Sequence, residues 1–212
     1  MADPPAPDEP PVVPYELPMF PLGAVLLPEQ PLTLHVFEPR YRALVRDVER
    51  GGGEFGVVLI ERGSEVGGGD TRFDVGTTAR LVQVRPLPDG RSLLAAIGAS
   101  RFVVRAWFPE MPYPRALVEP WPDLVAHVDP DAVRELRRSF ERVVAAAGGT
   151  FDGPTLDAAL SPDPRRCTFE LAAASPLGPL DRQHVLAERD PATRVALLRR
   201  LFEEQADVLE RG

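Results

Sequence analysis

The sequence predicts an α+β fold, in which a mainly β half with one inserted helix precedes an α-helical half. Residues 15–122 contain short apolar runs separated by glycine and proline turn signals, which is typical of β-strands. Within this half, residues 39–50 instead have apolar side chains at helical spacing. From residue 123 onward, segments that follow Asp-Pro pairs again have apolar residues at helical spacing. We therefore expect a β subdomain at 15–122 and a helical subdomain at 123–212.

The first fourteen residues form a proline-rich tail. Six of them are proline and few of the others can pack, so we expect residues 1–14 to be disordered. The segment has neither the basic start nor the apolar centre of a signal peptide. No apolar run in the chain approaches the ~20 residues that span a bilayer. The sequence therefore predicts a cytoplasmic protein without a membrane partner.

Two patterns predict the strands, the alternation of polar and apolar residues and short continuous apolar runs. The first apolar run is Leu17–Leu22. Two long segments are joined by the turn sequence Pro88-Asp89-Gly90, and a glycine-rich loop is expected at Gly63–Asp70. The predicted extended segments are Thr33–Phe37, Phe55–Ile60, Thr77–Arg85, Ser92–Phe108 and Arg115–Glu119. In the long segment, alternation places Phe102, Val104, Ala106 and Phe108 on one face and Arg101 and Arg105 on the other.

A proline at the first helical position marks the predicted helices. Glu38 and Pro39 begin the inserted helix, and the glycines from Gly51 end it. Its apolar face consists of Tyr41, Leu44, Val45 and Val48. In the second half the predicted N-caps are Asp129, Asp163 and Asp190. The two longer helices have apolar faces at Val133, Leu136, Phe140, Val143 and Ala147, and at Val195, Leu198, Phe202 and Leu209. Shorter helices are expected at Pro164–Ala174 and Pro179–Glu188.

All 24 basic residues are arginine, which excludes several classes of enzyme. A P-loop needs a lysine at the outer phosphates, and a Ser-Lys dyad needs a lysine that can lose its proton. Schiff-base chemistry needs a lysine amine as well. The single cysteine, Cys167, excludes an internal disulfide, and we expect it to be buried as a small apolar group. A net charge of −8 disfavours nucleic acid as a partner.

Six ordered motifs between residues 15 and 205 resemble those of one family, and a seventh stretch adds to them. They are Leu17–Gly23 (LPMFPLG), Leu34–Arg42 (LHVFEPRYR), Phe55–Val58, Val75–Arg91, Ala99–Phe102, Tyr113–Ala116 and Pro176–Gln183 (PLGPLDRQ). Together they resemble the LON N-terminal domain family, the substrate-binding module of Lon proteases. The resemblance implies a PUA-like pseudo-barrel β subdomain followed by an α-helical bundle.

In full-length Lon proteases, the module that this chain resembles recruits polypeptide substrates to an attached AAA+ motor and a Ser-Lys peptidase. The chain ends where the motor would begin and contains no lysine. We therefore expect a stand-alone domain with neither ATPase nor peptidase, and with no catalytic residue, metal or cofactor.

His35 and Glu38 invite a chemical interpretation, as a proton-transfer pair or as two metal ligands. Strand positions three apart point to opposite faces, so the two would converge only if the chain bends at Glu38. No HExxH motif is present. We expect His35 to be a structural or surface residue that hydrogen-bonds across the sheet.

The candidate polypeptide-binding residues are chosen from position and chemistry. Arg42, Arg46 and Arg50 line one helix face, which is either a solvated face balanced by Asp47 and Glu49 or a stripe that docks carboxylates. Most aromatic side chains are assigned to the core, with Trp107 and Trp121 as the expected exceptions. The candidates are Phe20, His35, Phe37, Glu38, Arg40, Arg42, Arg46 and Trp107.

The predicted function is non-catalytic binding of extended or unfolded polypeptide segments, in protein quality control or as an adaptor. A protease or another protein is a further candidate partner. Three alternatives remain open. They are a subunit that binds one dedicated partner through the C-terminal helix, an RNA binder that uses the PUA-like architecture, and a small hydrolase built on His35.

Overall fold

A six-stranded sheet and five helices make up the described part of the chain. The computed structural model describes residues 13–63, 71–150 and 160–211. The strands are β1 (Tyr15–Leu22), β2 (Pro31–Val36), β3 (Glu54–Arg62), β4 (Thr71–Pro86), β5 (Ser92–Trp107) and β6 (Arg115–Pro120). The helices are α1 (Pro39–Arg50), α2 (Pro130–Ala146), α3 (Pro164–Ala174), α4 (Pro179–Ala187) and α5 (Pro191–Arg211). The expected disordered tail and glycine-rich loop concern residues 1–12 and 64–70, which lie outside the described ones.

The sheet curls into an incomplete ring. Its strand order is β2-β5-β4-β3-β1-β6, and an additional pairing of β5 with β6 closes five of the strands. The pairing of β1 with β3 is parallel, and the other pairings are antiparallel. The long strand β5 pairs with β2 through its first half and with β6 through its second half. β2 therefore lies outside the ring. The α+β pseudo-barrel expected from the resemblance is confirmed, although the ring is not a regular barrel.

The second half of β5 departs from the alternation predicted for it. Its register with β6 shifts between Val104 and Ala106. Phe102 and Val104 are buried as predicted, whereas Ala106 is exposed, because an extra residue in a bulge changes which residues face inward. The strand also ends at Trp107 rather than at Phe108. The prediction of one apolar face is therefore wrong beyond the bulge.

The inserted helix α1 packs its apolar face against the sheet. Its buried residues are the four predicted from the sequence, Tyr41, Leu44, Val45 and Val48. They share a hydrophobic cluster with side chains of β1 to β5. The ring of Tyr41 stacks on that of Phe20, with centroids 4.0 Å apart. Glu38 is the N-cap residue as predicted, but its carboxylate accepts a hydrogen bond from Arg40 instead of capping an amide.

The helices of the second half begin where the Asp-Pro pairs predict. The carboxylates of Asp129, Asp163 and Asp190 each accept a hydrogen bond from an amide two residues further on. Most of the predicted apolar faces are buried, at Leu136, Phe140, Val143, Val195, Leu198 and Phe202. The predictions for Ala147 and Leu209 are wrong. Both are exposed, because Ala147 is the C-cap of α2 and Leu209 lies in the last turn of α5.

One hydrophobic cluster includes residues of both halves of the chain. It combines residues of α2 to α5 with three from the first half, Val25, Leu27 and Leu59. Cys167 is 1% exposed within it, as expected. Burying one aliphatic or aromatic side chain contributes about 1.5–3 kcal/mol. Gln183 Nε2 also donates a hydrogen bond to the carbonyl of Val75, at 3.0 Å. The strands and the helices therefore share this hydrophobic cluster.

A cluster of charged side chains is buried at the same junction. Arg194 is fully buried and Arg101 is 6% exposed. Both guanidinium groups donate to the carboxylate of Asp123, which lies between β6 and α2. The contact from Arg194 is bidentate, at 2.6 and 3.0 Å. Burial lowers the pKa of Arg101 to about 10, so the side chain stays cationic at neutral pH.

The substitution Asp123→Asn removes the carboxylate that lies between two buried guanidinium groups. An uncompensated buried charge is strongly unfavourable, so we expect the free energy of unfolding to fall by about 3–5 kcal/mol. Urea unfolding followed by circular dichroism measures this loss. Asp207→Asn is the matched control, because Asp207 forms an exposed ion pair with Arg142 that contributes little to stability. Equal losses in the two variants would contradict the prediction.

Candidate polypeptide-binding surface

The outer edge of β2 carries unpaired backbone groups. Among the described strands, β2 pairs with β5 and with no other. The amide of Gly98 donates to the carbonyl of Gln30 at the start of this ladder. The alternation of an antiparallel pair therefore directs the backbone groups of the even-numbered residues of β2 toward β5. The N–H groups of Thr33 and His35 face away from β5, where a further strand can pair with them.

A pocket opens between β2 and β1, two strands that do not pair with each other. Its volume is about 170 Å³. β1 contributes Phe20 and Leu22 to its lining, α1 contributes Tyr41, and residues 33–38 complete it. Four of the eight candidate residues therefore line a single pocket, and these are Phe20, His35, Phe37 and Glu38.

Two aromatic residues give this pocket a buried wall and an exposed one. Phe20 is buried against Tyr41. The strand predicted to run through Phe37 ends at Val36, so Phe37 lies just past β2 and is 51% exposed. His35 is exposed, and its ring meets that of Phe37 edge-on with centroids 6.4 Å apart. Within the described residues His35 forms no hydrogen bond, so the bond expected across the sheet is not observed.

A chain of ion pairs leads from this pocket to a second one, the Trp107 groove, whose lining includes Arg72, Trp107 and Glu110. Arg40 donates to Glu38 at 3.0 Å and to Glu110 at 3.3 Å. Glu110 also accepts from Arg72 at 2.5 Å, and the guanidinium of Arg72 lies 4.4 Å from the centroid of the Trp107 ring. Trp107 is half-buried, as is Trp121, in agreement with their expected exclusion from the core. Glu38, Arg40 and Trp107 are therefore connected through charged side chains.

The remaining candidates lie elsewhere. Arg42 and Arg46 line a separate pocket of about 200 Å³ between α1 and the turn that joins β4 to β5. Arg50, on the same helix face, is exposed but does not line this pocket. The structure therefore does not bring the eight candidates together at one site. It divides them between the β1–β2 pocket, the Trp107 groove and the arginine pocket.

The arrangement offers little to a hydrolase built on His35 and Glu38. The carboxylate of Glu38 bonds to Arg40, and His35 forms no hydrogen bond to it. The described residues also contain no group of three or more histidine, cysteine or carboxylate side chains placed to hold a metal ion.

Among the described helices, none is both long enough and apolar enough to cross a membrane.

A comparison with known protein families identifies the family of the chain. The family model of the ATP-dependent protease La (LON) substrate-binding domain matches residues 16–204. The chain belongs to this family. The resemblance of the seven sequence stretches to the LON N-terminal domain is thereby confirmed.

Two curated relatives of the chain are Lon proteases. Lon protease 1 of Herpetosiphon aurantiacus is 27% identical over 209 residues, which cover 94% of this chain and 26% of the protease. Lon protease 2 of Sorangium cellulosum is 30% identical, and the match covers 97% of this chain and 26% of the protease. The chain thus spans about a quarter of the length of these relatives.

Solved structures support the LON fold. A Lon N-terminal domain protein from Xanthomonas campestris matches with a TM-score of 0.67 and 29% identity, over 87% of this chain and 96% of that chain. The N-terminal domain of a Mycobacterium avium complex Lon protease matches with a TM-score of 0.61 over 91% of this chain and 98% of that chain. At 15% identity, the second match supports the fold alone.

Several residues that shape this surface were not among the sequence candidates. Leu22, Thr33 and Tyr41 line the β1–β2 pocket, and Thr33 contributes one of the edge N–H groups. Tyr113, which follows β5, fixes α1 from another side, because its hydroxyl donates to Asp47 at 2.8 Å. The alternation of β2 could have indicated Thr33, which falls on the same face as His35. Nothing local in the sequence indicates the pairing of Tyr113 with Asp47.

The Tyr113 hydroxyl gives a prediction about pH. Burial, followed by the hydrogen bond to Asp47, raises the pKa of Tyr113 to about 12, compared with about 10 in the unfolded chain. The stability that the neutral phenol contributes is therefore complete below pH ~10 and is lost as the pH rises from ~10 to ~12. We expect the free energy of unfolding to fall in this interval, and we expect Tyr113→Phe to remove this part of the fall.

The measurement is urea unfolding of both proteins across this pH range, with absorbance titration of tyrosinate in the folded state. Tyr113→Phe should also cost about 1 kcal/mol at neutral pH, because Asp47 loses its hydrogen bond. If the free energy of unfolding changes with pH in the same way in the wild-type protein and the variant, folding does not raise the pKa of Tyr113.

Proposed function

We propose that this chain is a non-catalytic polypeptide-binding module that captures extended segments by adding them as a strand to the free edge of β2. The observation that carries the proposal is the unpaired edge of β2 beside the β1–β2 pocket. Membership of the LON substrate-binding family supports the binding of polypeptide in general. We place the module in the cytoplasm, in protein quality control or as an adaptor.

Strand addition divides recognition between the backbone and alternate side chains. The N–H groups of Thr33 and His35, with the carbonyls on the same edge, bind the backbone of an extended segment of any sequence. Alternate side chains of that segment point to the two sides of the sheet. Those on one side meet the aromatic walls at Phe20 and Phe37. An apolar cavity of about 150 Å³ is enough to hold benzene, so a pocket of about 170 Å³ can take one apolar side chain.

The charges around the pocket are suited to binding rather than to chemistry. Glu38 and Arg40 neutralise one another at the rim, and Arg40 also bonds to Glu110. The carboxylates of Glu38 and Glu110 are both bonded to arginine side chains. A neutral rim around an apolar pocket tolerates segments of varied sequence, which is what a general capture module requires.

The substitution Thr33→Pro tests the edge directly. The Thr33 N–H faces away from β5, so proline leaves the β2–β5 ladder intact while it removes the outer donor. We expect the affinity for labelled unstructured peptides, measured by fluorescence anisotropy, to fall at least tenfold, or about 1.4 kcal/mol. Thr33→Val is the matched control, because it changes the same side chain but keeps the N–H. Thermal unfolding of both variants verifies that they fold.

Two results would overturn the proposal. Equal peptide affinity in Thr33→Pro and Thr33→Val would show that the edge is not the binding site. Peptides that stay unbound up to high micromolar protein would rule out general capture and favour one dedicated protein partner. A labelled single-stranded RNA is included in the same experiment. RNA binding that survives raised salt would favour the PUA-like RNA function, whereas binding lost at modest salt would be nonspecific.

A further inference from the structure

The pocket between α1 and the β4–β5 turn presents two arginines from one helix face. Arg42 and Arg46 are four residues apart and therefore neighbours on α1, with about 5–6 Å between their Cβ atoms. The opposite wall comes from the end of β4, the turn and the first residue of β5. The remaining lining residues are Val45, Glu49, Val84, Pro86, Gly90 and Ser92. Two cations thus face a small cavity with apolar walls.

The donors of both arginines are uncommitted. Within the described part of the chain, neither Arg42 nor Arg46 forms a hydrogen bond or an ion pair, whereas most of the other arginines pair with a carboxylate. In a protein with a net charge of −8, acidic partners are abundant. The donors of these two neighbouring guanidinium groups are therefore available to a ligand.

The guanidinium of Arg42 lies close to the turn. Gly90 has a φ of +80°, and a Cβ atom built on it would lie 3.0 Å from Nη2 of Arg42. The guanidinium therefore occupies space next to Gly90 that a larger residue would need. Arg91, the nearest arginine in the turn, is paired with Asp89. The exposed side chain of Arg42 therefore lies beside the turn with its donors available.

The acidic residues of α1 leave the two charges largely uncompensated. The carboxylate of Asp47 accepts a hydrogen bond from the Tyr113 hydroxyl. Glu49 lines the pocket but forms no ion pair with either arginine. The lining therefore carries two positive charges and one negative charge. It suits a ligand of charge −1 better than a polyanion, because Glu49 repels additional negative charge.

We infer that this pocket binds a carboxylate of the captured polypeptide, from an aspartate or glutamate side chain or from a free C-terminus. The inference rests on the proposed function and adds a preference for acidic segments to it. Guanidinium groups match the two oxygens of a carboxylate with parallel hydrogen bonds. Val45, Val84 and Pro86 pack against the aliphatic part of the bound residue. The β2 edge binds the backbone of a segment of any sequence, and the arginine pocket adds a preference for segments that carry a carboxylate.

The test compares peptides that differ in one carboxylate. One pair differs by glutamate against glutamine, and another by a free against an amidated C-terminus. We expect the carboxylate form of one pair to bind wild-type protein about tenfold more tightly in fluorescence anisotropy. The double variant Arg42→Gln/Arg46→Gln should lose this preference. Arg50→Gln, which removes one positive charge from the same helix face outside the pocket, should retain it.

The outcomes separate this inference from the proposed function. Peptides that bind wild-type protein without any preference for the carboxylate form would overturn the inference and leave capture at β2 in place. The same holds if Arg50→Gln weakens the preference as much as the double variant, because bulk charge would then explain it. If RNA displaces the labelled peptides and this depends on Arg42 and Arg46, the pocket binds phosphate rather than carboxylate. Absence of binding by every peptide would overturn both proposals.

Discussion

Two buried guanidinium groups share the carboxylate of Asp123, and the relation between the strands and the helices depends on this contact. Arg101 belongs to β5 and Arg194 to α5, while Asp123 lies in the segment that connects the two halves. Removing ions of this size from water costs several kcal/mol each. Their mutual attraction offsets that cost only when the remaining donors are satisfied.

The surrounding backbone and side chains satisfy those donors. Arg101 also donates to the carbonyls of Leu186 and Glu188, both at 2.7 Å. Arg194 donates to Thr168 and to the carbonyls of Glu188 and Arg165, at 2.9 to 3.1 Å. Both guanidinium groups lie against the ring of Phe169. The cluster therefore ties β5 to three helices, and it ties the start of α5 to the sheet. The helices that pack around this cluster support β5, the long strand with which β2 pairs.

The same strand explains why the ring has an edge that can bind. β5 is long enough to pair with β2 through its first half and to close the ring with β6 through its second. β2 is thereby placed outside the ring, and exposed strand edges invite pairing with another chain. Folding leaves this edge open beside an aromatic pocket, while a rim ion pair between Glu38 and Arg40 keeps the surroundings close to neutral. The site is therefore a consequence of strand order rather than of any reactive side chain.

Local signals in the sequence predict most of the elements and few of the long-range contacts. The spacing of Tyr41, Leu44, Val45 and Val48 predicts α1, and the Asp-Pro pairs predict the starts of helices, because caps and faces depend on near neighbours. The alternation of polar and apolar residues along β5 does not reveal the bulge after Val104, because the bulge depends on how β5 pairs with β6.

The long-range contacts join residues that no local pattern connects. Asp123 lies 22 residues from Arg101 and 71 from Arg194 along the chain. In the same way, Phe20 and Phe37 were chosen for their chemistry, but only the strand order shows that they share a pocket and that Arg42 does not.

The most direct measurement of the central claim is amide hydrogen exchange at the edge of β2, with and without a saturating unstructured peptide. If the segment adds as a strand, at least one of the N–H groups of Thr33 and His35 becomes hydrogen-bonded and its exchange slows. The amides of Leu32 and Leu34, already directed toward β5, should change much less. Protection elsewhere on the molecule, with Thr33 and His35 exchanging at the same rate in the complex, would contradict capture at this edge.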